Sequence, residues 1–186
     1  MGKKRTKKQA SKKNTELTLK DKLVNVFEDN KGIIRFAGLY LLYIAILTLV
    51  YITVKDDLQF MRDWTANGLA VILNLLGVEN SHMGSYVYLE NLSLRVIDEC
   101  TGIYEILVYS SCVLAYSTTY AKKAIGIAFG IPAILGINMI RLVSLSLVGI
   151  WSPELFDYVH YYLWQITLLI IIAIVVIVWI EKVVKK

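Results

Sequence analysis

The sequence predicts an all-α integral membrane protein: a four-helix transmembrane bundle, an interfacial or re-entrant helix, and a short external stretch that is either a β-hairpin or a plain extended loop. Three observations carry this expectation. The 186 residues are 56% hydrophobic with a mean hydropathy of +0.56, too apolar for an ordinary soluble domain and too short for more than one compact unit. Runs of the roughly 20 apolar residues needed to cross a hydrocarbon core occur at 33–54, 124–150 and 163–180, with a fourth, less apolar run at 102–119. Charge is segregated, with ten Lys or Arg against four acids in 1–32 and three against seven in 55–99.

The opening "MGKKRTKKQASKK" carries seven basic residues and no acid. It predicts a cytoplasmic tail, 1–32, that sets topology rather than a nucleic-acid surface. The polar stretch 14–30 and the long apolar run after it read as an uncleaved anchor, not a signal peptide. "MGKKRT" also matches the loose N-myristoylation pattern, but a lipid adds little to a chain held by several spans. The excess of basic residues on the inner side makes 55–99 external, and "AKK" at 121–123 and the terminal "EKVVKK" internal. Four spans satisfy these placements, with 33–186 as one membrane-embedded domain in a multi-pass protein of the cell membrane.

Within 58–78 the apolar part is only 69–78, short for a span and suited to a helix on the outer leaflet. "SYVYLENLSLRVIDE" alternates, with Leu92, Leu94 and Val96 on one face and Ser93, Arg95 and Ile97 on the other. Glu90 and Asn91 are the residues at which a hairpin would turn.

"DECTGIYE", 98–105, gathers three carboxylates and a thiol at the start of the second span. Cys100 therefore falls at the outer surface. A helix start favours a thiolate, Gly102 leaves room for a substrate backbone, and Asp98, Glu99 and Glu105 oppose the thiolate. Arg141 lies inside the third span, about 13 Å below its outer end. A mid-membrane arginine is costly, so it faces the bundle interior and has a partner. Asn138 shares its face, and Glu105 is the counter-charge in reach. His160 sits just before the fourth span, again on the outer side, with Asp157 one turn earlier to orient its ring. Thiol, guanidinium and imidazole thus share the outer half of one bundle. Cys112 reads as packing and His82 as a surface residue. Cys100 and Cys112 are about 18 Å apart if on one helix, too far for a disulfide. No cluster at ligand spacing calls for a metal, and no other cofactor is expected.

The order "ECTGI", "NMIRL", "YVH" resembles the exosortase and archaeosortase family of membrane transpeptidases. The resemblance spans roughly 65–175 in layout, and only the three motifs are specific. It implies Cys100 as nucleophile, His160 as general acid/base and Arg141 as stabiliser of developing negative charge. It further implies substrates bearing a C-terminal recognition motif, a transmembrane helix and a basic tail. Cleavage would pass through a thioester to an acceptor, either a lipid amine or water. The competing expectation is a small non-enzymatic transporter or scaffold in which Arg141 and Glu105 form a polar pathway or a packing pair.

Overall fold

The computed structural model describes residues 30–90 and 92–185. Contacts divide the chain into units 1–39 and 40–186. The described part of the first is Asn30 and the opening turns of α1 (Lys31–Val54), whose side chains are exposed or half-buried. In the second unit the rest of α1 buries only Tyr51 and leaves Leu41, Leu42 and Leu49 exposed. An apolar helix of about 36 Å with so little protein around it suits lipid.

Helix α2 (Gln59–Leu75) buries Thr65, Ala66, Leu69, Ala70 and Leu73, spaced one turn apart along one stripe. Its other face exposes Phe60, Trp64, Val71 and Leu75. It starts well before the apolar run because small residues, not large apolar ones, make its first contacts. A Cβ on Gly68 would sit 3.1 Å from the end of Met139.

Three antiparallel strands follow, β1 (Asn80–Met83), β2 (Tyr86–Leu89) and β3 (Ser93–Arg95), in the order β1-β2-β3. The β2–β3 hairpin turns where Glu90 and Asn91 had suggested, with Leu89 N donating to Leu92 O at 2.8 Å; Asn91 itself lies outside the described residues. Leu92, Leu94 and Val96 are buried or half-buried, and Ser93, Arg95 and Ile97 are exposed, as the alternation predicted. The fold is therefore not purely helical, and β1 went unread. "NSHM" buries neither face, so it has no hydrophobic period to detect. Its turn was legible: Gly84 and Ser85 join Met83 to Tyr86, with Gly84 at φ +57°, the left-handed conformation that two-residue hairpins require.

Helix α3 (Ile103–Ala115) has 13 residues, about 20 Å, and does not fill the expected span 102–119. Tyr116 leaves it in extended conformation, and Ser117, Thr118 and Thr119 carry hydroxyls that compete for backbone groups. Helix α4 (Tyr120–Trp151) has 32 residues and begins four before the expected 124. Helix α5 (Pro153–Trp179) begins ten before the expected 163 and runs into a π-turn, Ile180–Val184. The onset of apolarity misplaced that start. Pro153 opens the helix where a missing N–H costs nothing, and the polar first turns are helical all the same. Helices α1 and α4 are long and apolar enough to cross a membrane.

Two cores result. One joins Ala66, Leu69, Ala70 and Leu73 of α2 to Val87, Leu89, Val96, Cys100 and Leu142. The other joins Tyr109, Val113, Ile134, Ile171, Val175 and Trp179 of α3, α4 and α5.

Candidate active site

Cys100 closes a three-residue 3-10 turn, 98–100, that precedes α3 rather than opening it. Its N–H donates to Ile97 O at 2.9 Å, and Thr101 Oγ1 donates to Asp98 O at 2.6 Å. Gly102, the N-cap of α3, has φ +82°, a conformation that strains any residue with a Cβ. The sequence suggested that this glycine leaves room for substrate. Instead Asn138 occupies that side, 3.5 Å from where a Cβ would be, so the glycine serves the sharp change of direction.

Asn138 projects from α4 into this turn, and Arg141, three residues on, reaches Glu105 of α3. Asn138 Nδ2 donates to Cys100 O at 2.7 Å. The amide was expected to help satisfy Arg141, which would need its Oδ1; that oxygen has no hydrogen-bond donor among the described residues. The expected Arg141–Glu105 pair is present at 3.5 Å, with side chains 4% and 0% exposed. The three acids around the thiol part company. Asp98 turns outward to the Arg62 guanidinium at 3.0 Å and the Tyr51 hydroxyl at 3.1 Å, while Glu105 goes inward to Arg141.

Cys100 is 5% exposed. Burial pushes its pKa up; a backbone hydrogen bond at Ile97 and the Arg141 charge pull it down, and Glu99 and Glu105 push it up again, with a raised value as the net result. Beside Cys100 lies a cavity of about 40 Å³ lined by Leu69, Leu94, Val96, Leu142, Leu145 and Phe156, with Arg95 and Ser146.

His160 lies on α5, eighth from its start, so it is within the helix and not ahead of it; its side chain, and that of Asp157, fall outside the described residues. Helices α4 and α5 meet at Ser152. By helix rise Arg141 is about 17 Å and His160 about 12 Å from that junction. Cys112 is half-buried on α3 and both cysteines are free. His82 is exposed on β1. Among the described residues no three His, Cys, Asp or Glu side chains form a metal-ligating group.

Sequence reasoning missed the role of Asn138 toward Cys100 and the pairing of Arg62 with Asp98. Neither has a local signal, because each partner lies more than thirty residues away. The family model described as Transmembrane exosortase (Exosortase_EpsH) matches residues 32–180. No curated protein and no solved structure matches the chain. The match covers most of the chain, "CTGI", "NMIR" and the α5 histidine included, and the chain belongs to the transmembrane exosortase family, membrane-embedded and generally cysteine-dependent transpeptidases that sort proteins bearing C-terminal signals.

Proposed function

We propose that this exosortase cleaves the C-terminal sorting signal of exported proteins with Cys100 as nucleophile, Arg141 as oxyanion stabiliser and His160 as general acid/base. The observation that carries the reading is a buried arginine, paired with Glu105, on the same helix whose Asn138 donates to the Cys100 carbonyl. In such a water-poor site a preorganised cation is worth several kcal/mol to a developing oxyanion.

His160 takes the thiol proton, and the sulfur attacks the scissile carbonyl carbon. Arg141 stabilises the resulting oxyanion. Collapse breaks the C–N bond, His160 protonates the leaving amine, and a thioester to Cys100 remains. An acceptor amine then attacks the thioester, giving its proton to His160 and releasing the thiolate. A lipid amine would exchange a peptide anchor for a lipid one; water would yield a free carboxylate.

The accompanying topology keeps 1–32 in the cytoplasm, crosses the membrane at 33–54, 102–119, 124–150 and 163–180, lays α2 on the outer leaflet and faces Cys100 outward. The charge bias supports it. The second crossing rests on α3, about 20 Å long against about 30 Å of hydrocarbon, and residues 116–118 bend the chain toward α4, with Thr118 N donating to Tyr116 O at 3.0 Å.

The test is co-expression of the full chain with a host protein carrying a short motif, an apolar helix and a basic tail at its C-terminus. Cys100→Ser abolishes release of that tail while the variant accumulates in the membrane. Full release by Cys100→Ser discards the enzyme mechanism and favours a packing role for Arg141 and Glu105.

A further inference from the structure

We propose that Asn138 is a positioning residue for the nucleophile: its carboxamide fixes the peptide plane after Cys100 and so aims the sulfur. The inference rests on the reading of Cys100 given above. The 2.7 Å bond from Asn138 Nδ2 to Cys100 O is buried, and Asn138 is 2% exposed. Holding that carbonyl holds the Cys100–Thr101 peptide unit, which sets ψ of Cys100 and with it the direction of the Cα–Cβ bond. The grip is needed because the turn is short. Cys100 belongs to a 3-10 segment of three residues followed by a left-handed glycine, and such segments have poorer hydrogen-bond geometry than an α-helix.

The same face of α4 completes the grip. Leu142, one turn after Asn138, packs in the core cluster that contains Cys100, and Arg141 lies between them in sequence. One rigid helix thus carries the group that orients the thiol and the charge that acts on it, so their relative placement does not depend on a loop. Stability alone does not account for the carboxamide. Its Oδ1 is buried with no hydrogen-bond donor among the described residues, and an orphaned buried acceptor is destabilising. The bond that Asn138 does make is the one to the Cys100 carbonyl.

The measurement is turnover by the full-length protein in lipid vesicles of a reporter ending in the sorting signal of a host protein. Asn138→Ala lowers kcat by about 100-fold, the scale of a 1 Å misplacement, with little change in KM, since no substrate contact is removed. Asn138→Asp supplies a second readout. Only the protonated acid can donate to Cys100 O, so its kcat relative to wild type rises as pH falls from about 8 to 5. Wild-type kcat in Asn138→Ala, with Cys100→Ser inactive, overturns the positioning role alone. Release by Cys100→Ser overturns the underlying mechanism instead. Where Asn138→Ala fails to accumulate, Asn138→Asp decides: a ratio to wild type that is flat across that pH range overturns the proposal.

Discussion

The two ends of the helical core treat buried polar groups in opposite ways. At the end near Lys122, Tyr109 Oη donates to Gly126 O at 2.9 Å and Trp179 Nε1 donates to Lys122 O at 3.0 Å. Lys122 Nζ donates to Val184 O at 2.8 Å, and Lys123 Nζ caps Leu114 O, placing positive charge on the exposed carbonyls of helix ends. At the Cys100 end, both Glu105 oxygens and Asn138 Oδ1 are buried without a hydrogen-bond donor among the described residues, and the Arg141–Glu105 approach is loose at 3.5 Å. Buried polar groups are normally paired. The first end pairs its buried polar groups; the second leaves acceptor oxygens unpaired among the described residues, as the functional reading of Cys100 requires of a site with acceptor capacity to spare.

The largest test of that contrast is to remove one member of the buried pair. Glu105→Ala leaves the Arg141 charge without its carboxylate and lowers unfolding stability by about 3–5 kcal/mol, read as a drop in the thermal midpoint in detergent. Glu105→Gln, which preserves shape and one acceptor oxygen, loses less. Equal, negligible effects would show that the pair does not hold the helices together. Arg141→Lys is next. An ammonium keeps the charge but not the planar fork of donors, and turnover falls about 10²–10³-fold, the scale for losing an oxyanion donor. Wild-type turnover would reduce the role of Arg141 to charge alone.

The same residue sets a pH signature. Because burial holds the Cys100 pKa above its ordinary value and Arg141 opposes that rise, alkylation of Cys100 by iodoacetamide in a Cys112→Ala background keeps accelerating into alkaline pH. Arg141→Gln moves the curve further that way. A shift toward acid would contradict the assigned proximity. At the opposite end Gly130→Ala costs about 1–3 kcal/mol, the usual scale of overpacking, because the new methyl would overlap the Tyr109 ring, and Gly126 faces Trp179 just as tightly. The Cys100 titration stays unchanged in that variant.

Those two glycines mark what the sequence made legible. "GIAFG" places small residues four apart on an apolar helix, a pattern that admits close neighbours, and it could have located the Tyr109 and Trp179 contacts. The apolar runs located α1 and α4, the pattern of Leu92, Leu94 and Val96 gave β3 its faces, and the cost of a buried arginine identified the Glu105 partner before any coordinates. Helix ends were less accessible. Helix α3 stops at Ala115 and α5 starts at Pro153 for reasons of backbone conformation, whereas hydropathy reports only where side chains are apolar. The bond from Asn138 to Cys100 spans 38 residues, and no local period encodes it.

The smallest expected effect lies on the solvent side of the nucleophile turn. Arg62 of α2 and Tyr51 of α1 both hold the Asp98 carboxylate, and Tyr51 meets the Tyr104 ring edge-on at 5.6 Å. The Arg62 and Asp98 side chains are 28% and 29% exposed, so water and salt screen the pair. Arg62→Ala therefore costs no more than about 1 kcal/mol, and the loss shrinks as added salt shortens the screening length below about 10 Å. The Asn138 bond is buried and does not respond to salt in this way. The paired swap Arg62→Asp with Asp98→Arg restores stability if charge is what matters, and fails if Tyr51 requires a carboxylate. A salt-independent loss in Arg62→Ala would mean that α2 steadies the turn by packing, and the division of labour between an outer ionic contact and an inner amide would have to be withdrawn.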